Sequence, residues 1–224
     1  MSDELFENQI PLMDRFLREG PTEVADLGAG LGHHTRYFVE RGVRVVAVDM
    51  VLTDELRAIT AAHPDRCRFV PSDLSRLPFE DGELESLWAS YCLEHVDDPL
   101  STLREWRRVL CPNGMLAVSV PPFKTEVVGR HVFTGWSVGQ LMLTLFRTGF
   151  HVRDGAYATH HYNVFAVVRR AENPPRLQPN DEILCQYHDQ FPPEIEEAIL
   201  GNEFVNPFGE TVRSFEGQIK RLGW

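Results

Sequence analysis

The sequence has no C-x-x-C pair. Its four cysteines, Cys67, Cys92, Cys111 and Cys185, stand far apart, which argues against a zinc ribbon or a disulfide framework and points to a reducing compartment. The longest apolar run, LMLTLF at 141–146, is too short to cross a bilayer. The opening stretch MSDELFENQI has neither the basic nor the apolar segment of a secretory leader. Together these absences predict a cytoplasmic protein. Bases are scarce too: 22 against 33 acids give a formal charge of −11, a field that repels phosphate backbones and anionic lipid. The densest basic clusters, Arg104/Arg107/Arg108 and Arg169/Arg170, read as solvated faces or strand ends. Neither a nucleic-acid nor a membrane partner is expected. Internal repeats and low-complexity tracts are missing, and no ligand spacing suggests a metal site.

What is present fits one globular domain with an appendage: 224 residues, 43% hydrophobic and 25% charged. From residue 24 to about 120, strand-like and helix-like patterns alternate, as in a parallel sheet with crossover helices. Strands are predicted at 24–27 (VADL), 43–49 (VRVVAVD), 67–73, 84–91 and 115–120. A helix after the first strand runs through His34 to Arg41 with Tyr37 and Phe38 facing inward, and another lies near 53–62. Asp97-Asp98-Pro99 looks like a helix start, an acidic cap followed by proline in the first turn. That helix places Leu100, Leu103, Val109 and Leu110 toward the core and ends at Pro112-Asn113-Gly114. In SVGQLMLTLFRTG, Val138, Leu141, Met142, Leu145 and Phe146 form one helical stripe, and FHVRDGAYA and YNVFAVVRR could close the sheet as a hairpin. After Arg170 the composition shifts toward proline and acid. We therefore expect a domain over 1–170 and an extension over 171–224 that packs on it or on a second subunit, which would make a homodimer.

Open parallel sheets bind ligands beyond the carboxyl ends of their strands. There the sequence places Asp26 and a glycine loop, VADLGAGLG, after the first strand, Asp49 at the end of the second, Asp73 at the end of the third, and Ser90 to His95 after the fourth. A dinucleotide loop needs G-x-G-x-x-G, but the sixth position here is His33, and the spacing found is G-x-G-x-G. An acid beside the loop would repel a pyrophosphate and suit a cation. Asp49, 17 residues beyond Gly32, could accept two hydrogen bonds from vicinal ribose hydroxyls. A nucleoside without phosphates, carrying a positive centre, satisfies these constraints.

On these residues the sequence resembles the class I S-adenosylmethionine-dependent methyltransferases, in the small-molecule subgroup similar to the ubiquinone-biosynthesis enzymes. The resemblance spans residues 22–122, and more weakly 123–170. It implies an α/β fold: a Rossmann-like, doubly wound, seven-stranded, mostly parallel sheet with helices on both faces and an antiparallel last strand. The cofactor it implies is S-adenosyl-L-methionine. EVADLGAGLG resembles the first family motif, which puts Gly28, Gly30 and Gly32 beside the methionine half and Asp26 near its ammonium. VVAVDM resembles the second, giving Asp49 the ribose and Met50 the adenine face. PSDLSRLPFEDGELESLWASYCLEHVDDP resembles the third and fourth, with Asp73 on the adenine amino group, Leu74 beside it, and Ser90 and Tyr91 along the methionine portion. Two departures stand out: Ala29 where cysteine or serine is frequent, and Glu85 in place of an aspartate before the fourth strand.

The acceptor is less legible. Methyl transfer is an in-line displacement that chiefly needs alignment, and a hydroxyl acceptor also gains from a general base. His131, in the long connection PPFKTEVVGRHVFTGW, and His161, at the start of the last strand, are the candidate bases. His95 reads as a structural hydrogen bond behind the fourth strand, and His33 and His34 as helix-surface residues. A looser similarity of GRHVFTGWSVGQLMLTLFRTGFHV, HHYNVFAVVRR and SFEGQIKRLGW to bacterial surface-glycan methyltransferases implies a sugar-like acceptor. Phe133, Trp136 and Tyr162 could then stack on a pyranose, or simply fill the core. The expected activity is methylation of a hydroxyl or amine on a small polar metabolite or glycan intermediate. A carbon methyltransferase of quinone biosynthesis, a non-catalytic cofactor-binding module and a dehydrogenase are the alternatives.

Overall fold

The computed structural model describes residues 6–122, 135–161, 163–177 and 187–192. His131, Phe133, Tyr162, Cys185 and most of the extension lie outside these residues. The described elements are, in chain order, α1 (Ile10–Leu17), β1 (Glu23–Leu27), α2 (His33–Glu40), β2 (Arg44–Asp49), α3 (Asp54–Ala62), β3 (Cys67–Pro71), β4 (Leu84–Ser90), a 3-10 turn (Leu93–His95), α4 (Pro99–Val109), β5 (Leu110–Val120), α5 (Val138–Arg147), β6 (Phe150–His160) and β7 (Asn163–Arg170). A second 3-10 turn spans His188–Gln190.

One seven-stranded sheet carries the fold, in the order β3-β2-β1-β4-β5-β7-β6. All neighbouring pairs from β3 to β5 are parallel, whereas β7 runs antiparallel to both β5 and β6. This is the expected doubly wound architecture. Its central strands are buried on both sides, which is why Val45 to Val48 and Leu116 to Val118 read as unbroken apolar runs. One core cluster packs α4 and α5 on one side of the sheet through Leu103, Trp106, Leu141 and Leu145. The other packs α1 and α2 through Leu12, Phe16 and Phe38 against Trp88 and Phe165. The sheet order reverses between β1 and β4, so their ends diverge and open a crevice there.

Several expectations change in detail. The helix α1 has no motif to announce it and buries Leu12, Met13 and Phe16 completely. Leu110 opens β5 instead of closing α4, and Pro112-Asn113-Gly114 lies within β5 as a bulge: two steps along β4, Leu84 to Ser86, face five along β5, Leu110 to Met115. Glycine is required at 114 because a Cβ would sit 2.8 Å from the Cys111 carbonyl oxygen. Leu100 is 37% exposed, and Trp106 takes the core position on that helix. Trp136 is 1% exposed within the core cluster, so it fills the interior and is not an exposed stacking platform. The described part of the extension meets the domain where Phe191 packs on Phe146 with ring centroids 4.9 Å apart. Among the described residues no helix is long and apolar enough to cross a membrane, and no cluster of His, Cys and acids could hold a metal ion.

The 3-10 turn after β4 folds Glu94 into the interior, where neither carboxyl oxygen finds a hydrogen-bond partner among the described residues. Burial pushes this carboxyl up to about 7. The unfolded chain ionises Glu94 near its ordinary value while the fold keeps the proton, so stability is lost as pH rises toward 7. Glu94→Gln removes that loss, and thermal or urea unfolding should show the variant gaining up to about 3 kcal/mol relative to the parent at pH 8 compared with pH 4.5. An equal difference at both pH values would contradict the buried, unpaired placement.

Candidate active site

The chain leaves β1 at Leu27 and must reverse into α2 within five residues. Gly28, Gly30 and Gly32 all adopt left-handed φ, at 73°, 54° and 79°. Space adds a second demand: a Cβ on Gly28 would lie 2.9 Å from Cys92 Cβ, and one on Gly32 would lie 2.6 Å from Ile59 Cδ1. The loop is stitched to the end of β2. Gly28 and Ala29 donate N–H bonds to the Val48 carbonyl at 2.8 and 3.1 Å, and Gly30 N–H donates to Asp49 Oδ2 at 2.9 Å. Thr53, the side-chain cap of α3, donates its hydroxyl to the Gly30 carbonyl at 3.0 Å.

Asp49 therefore has a fixed orientation. Val51 N–H reaches its other oxygen at 3.3 Å, and each oxygen keeps a further lone pair for a ligand hydroxyl. Next to it, Met50 is 73% exposed, an apolar surface open beside the carboxylate. Asp73 is exposed, with Oδ1 accepting from both the backbone N–H and the hydroxyl of Ser75 at 2.8 Å. The Ser75 amide, then its hydroxyl, hold this carboxyl below its usual range.

Beneath the loop, Asp26 is buried and accepts from Thr35 Oγ1 at 2.6 Å, while Oδ1 has no partner among the described residues. Burial pushes its carboxyl up to about 7, with the neighbouring Asp49 charge adding to the rise. An unpaired buried carboxyl oxygen and a glycine cradle that side chains would fill both suit a cationic group lodged against the loop.

A cleft of ≈ 530 Å³ opens over these residues. It brings together six of the ten expected cofactor residues: Gly28, Asp49, Met50, Asp73, Leu74 and Tyr91. Tyr91 follows β4 in left-handed geometry, φ 52°, with its N–H bonded to the Ser119 carbonyl at 3.0 Å. Gly30 and Gly32 shape the loop without lining the cleft, and Asp26 lies behind it. Ser90 faces elsewhere: its hydroxyl donates to Gln9 Oε1 at 2.6 Å. His95, expected behind β4, instead lines the cleft, as do Cys92 and Thr102, which the motif reading left without a role.

Ser90 belongs to a buried polar network at the same edge of the sheet. Gln9 Oε1 also accepts from His34 Nε2, at 2.6 Å, and Gln9 Nε2 donates to Asn163 Oδ1 at 3.3 Å. Ser119 donates to that same oxygen at 2.9 Å, and Asn163 Nδ2 donates to the His160 carbonyl at 2.9 Å. His34 is thus an interior residue, not a surface one, and burial pushes its imidazole down to about 3. No motif marks these residues, because Gln9 and Asn163 meet across 154 positions of sequence. The network anchors the β6–β7 turn, in which His160 and His161 rings stand edge to face at 4.4 Å and His161 takes φ 50°.

A larger cavity, ≈ 680 Å³, lies at the opposite end of the sheet beside Asn113, Arg169 and Arg170. Its loop residues, Ala171 to Asn173 and Pro175, follow the antiparallel β7 and not a parallel strand. Its Arg169 is bound to Glu19 at 2.8 Å, and Arg170 donates to the Leu110 carbonyl, so both guanidinium groups are engaged within the protein.

Comparison with known proteins agrees with this geometry. Residues 25–118 match the family model of the methyltransferase domain. A demethylmenaquinone methyltransferase from Renibacterium salmoninarum is 33% identical over 111 residues, 50% of this chain and 46% of the relative. A malonyl-[acyl-carrier protein] O-methyltransferase from Halorhodospira halophila is 34% identical over 141 residues, 60% of this chain and 46% of the relative. The chain spans about half the length of the curated relatives it matches. Among solved structures, the Burkholderia thailandensis 1,6-didemethyltoxoflavin-N1-methyltransferase, with bound 1,6-didemethyltoxoflavin and S-adenosylhomocysteine, shares the fold at TM-score 0.65 and 23% identity over 74% of this chain and 79% of its own. Motifs, sheet order and comparisons converge: residues 25–118 match a methyltransferase domain, on the doubly wound fold that the solved methyltransferase shares.

Proposed function

We propose that this chain transfers a methyl group from S-adenosylmethionine to oxygen or nitrogen on a small polar acceptor, such as a sugar hydroxyl. The observation that carries the reading is the Asp49 carboxylate, oriented by the Gly30 amide at the rim of a cleft that no lysine or arginine lines among the described residues. Such a cleft suits a nucleoside with a positive centre and disfavours one with phosphates. Asp49 would take the ribose hydroxyls, Met50 and Leu74 the adenine faces, and Asp73 the adenine amino group. Gly28 and Tyr91 would border the methionine half, with Asp26 near the ammonium. When bound, the cofactor supplies an electrophilic methyl. The chain's own task is then to hold the acceptor in line with it, exclude water and take the acceptor's proton.

For the proton, His161 is the described candidate. It is exposed, and it sits at the edge of the sheet where β4 and β5 end, on a turn fixed by the Asn163 clamp. His131 shares the proposed role but lies outside the described residues.

A polar acceptor is supported by the fate of the apolar residues after 134. Trp136, Leu141, Met142 and Phe146 are all spent in the core, leaving none of them to line a greasy pocket. The second reading, carbon methylation of a quinone, is favoured by the demethylmenaquinone methyltransferases among the relatives. Fold alone does not decide activity, since a [4+2]-cyclase shares this fold at TM-score 0.59.

Four outcomes are expected. S-adenosylhomocysteine raises the melting temperature whereas NADH does not, and Asp49→Ala weakens its calorimetric affinity at least about tenfold through loss of charge-assisted bonds. Unchanged affinity in Asp49→Ala would remove the ribose assignment. His161→Ala lowers turnover about 10²-fold or more with cofactor affinity retained, as loss of a general base requires; full turnover would exclude it. With isotopically labelled methyl donor and cell extract, label enters the polar metabolite fraction; label confined to the lipid-extractable quinone fraction would favour the second reading.

A further inference from the structure

Three ladders of the sheet run out at one place. The β1–β4 pairing ends at Leu27 and Ala89, the β4–β5 pairing at Ser90 and Ser119, and the β5–β7 pairing at Val120 and Val164. Just past these ends stand Tyr91, which lines the cleft, and the β6–β7 turn that carries His161. Both residues hold left-handed φ, 52° and 50°, a conformation that a residue with a side chain keeps where its surroundings impose it. Strand pairing does not reach from one of these points to the other, so their spacing is set by what lies behind the strand ends.

What lies there is Gln9, the residue that precedes α1. Its main chain is held on both sides: the N–H donates to the Phe6 carbonyl at 2.9 Å, and the carbonyl accepts from Leu12 and Met13 at 3.0 Å each. Leu12, Met13 and Phe16 are fully buried, so α1 cannot shift without opening the core. From this base the buried carboxamide reaches three elements. Oε1 accepts from His34 Nε2 of α2 and from Ser90 Oγ of β4, each at 2.6 Å, and Nε2 donates to Asn163 Oδ1 of β7 at 3.3 Å. Asn163 pairs with His160 to close the turn and gives its own N–H to the His160 carbonyl at 2.9 Å. One side chain therefore spans from Ser90, which precedes Tyr91, to Asn163, which follows the His161 turn. A methionine would fill similar space with no polar group to satisfy, so packing alone does not call for glutamine here. Gln9 and Asn163 both fall outside residues 25–118, so this bridge is added by the chain beyond the matched methyltransferase domain.

We propose that Gln9 is a positioning residue of the acceptor side: its carboxamide fixes the spacing between the Tyr91 edge of the cleft and the His161 turn, and so the alignment of the acceptor with the donor methyl. The inference rests on the function proposed above and deepens it. Gln9 touches neither reactant. It acts through Ser90 on one side and Asn163 on the other, and its effect belongs to the rate of transfer and not to the binding of the cofactor, whose contacts at Asp49 and Asp73 lie on strands that Gln9 does not reach.

Labelled S-adenosylmethionine, with whole cell extract as the source of acceptor, tests this on the full chain through initial rates at limiting and saturating extract. Gln9→Met keeps the volume and removes all three bonds; it should lower the saturating rate about 10- to 10²-fold, the cost of misaligned reactants, while calorimetric affinity for S-adenosylhomocysteine stays within about twofold of the parent. Gln9→Glu keeps acceptors for His34 and Ser90 but has no N–H for Asn163, so its rate should fall between the two, and it decides the question alone if Gln9→Met does not fold. Tyr37→Phe, which cuts the tie of α2 to Asp14 on the same helix as Gln9's anchor, should leave rate and affinity as in the parent. Parental rates in the folded Gln9 variants, an equal loss in Tyr37→Phe, or a loss of cofactor affinity that matches the loss of rate overturns the positioning role and leaves the methyltransferase reading in place. Absence of label transfer by the parent to any fraction of the extract overturns that reading and this inference with it.

Discussion

The hydrogen bond from Gly30 N–H to the Asp49 carboxylate joins two strand ends that the sheet order only brings near each other. On one side it fixes a loop that cannot carry side chains; on the other it fixes the only acid at the carboxyl end of β2. If Asp49 were free to rotate, its two oxygens would not present a constant pair of acceptors to vicinal hydroxyls. Were the loop free, Gly28 would not hold its approach to Cys92, and the wall between β1 and β4 would open. The shape of the cleft, and with it the ligand proposed above, depends on this stitch.

Polar groups are buried on both sides of β4. Toward α1 and α2, Gln9, His34, Ser90, Ser119 and Asn163 satisfy one another in a closed network that rigidifies the edge of the sheet. Among the described residues, Thr102 at the cleft and the buried Asp26 and Glu94 retain unpaired oxygens, while Trp88 and His33 keep an unpaired ring nitrogen on the α1 and α2 side. Buried polar atoms left unpaired cost stability, and the network across β4 avoids that cost for its own members.

Sequence reading was most accurate where local chemistry decides structure. The alternation of apolar runs with amphipathic stretches gave six of the seven strands within about two residues, because parallel strands buried on both faces leave little ambiguity. The exception was β5, whose Pro112-Asn113-Gly114 looks like a turn and is accommodated as a bulge only because β4 offers a pairing edge beside it. Asp98 and Pro99 marked the start of α4 correctly. Leu100 was misplaced because position on the helix, not hydrophobicity, decides which residue faces inward, and Trp106 takes that place. Among the residues that line the cleft, Gly28, Asp49, Met50, Asp73, Leu74 and Tyr91 were legible since each lies at a strand end or within three residues beyond it. Ser90, His34 and Gln9 were not, because their partners come from α1 and β7, distant in sequence. Cys92 and Thr102 carry no distinctive spacing and acquire meaning only from the shape of the cleft.

The central claim is that the anchored Asp49 carboxylate and the side-chain-free loop form the seat of an adenosine thioether cofactor. A crystal structure of the chain soaked with S-adenosylhomocysteine tests it most directly. The account predicts both ribose hydroxyls within hydrogen-bonding distance, about 2.5–3.0 Å, of Asp49, with the Gly30 bond preserved and the ligand's sulfur beside Gly28. A ligand seated instead in the cavity by Arg169 and Arg170, or bound near the loop without touching Asp49, would contradict it.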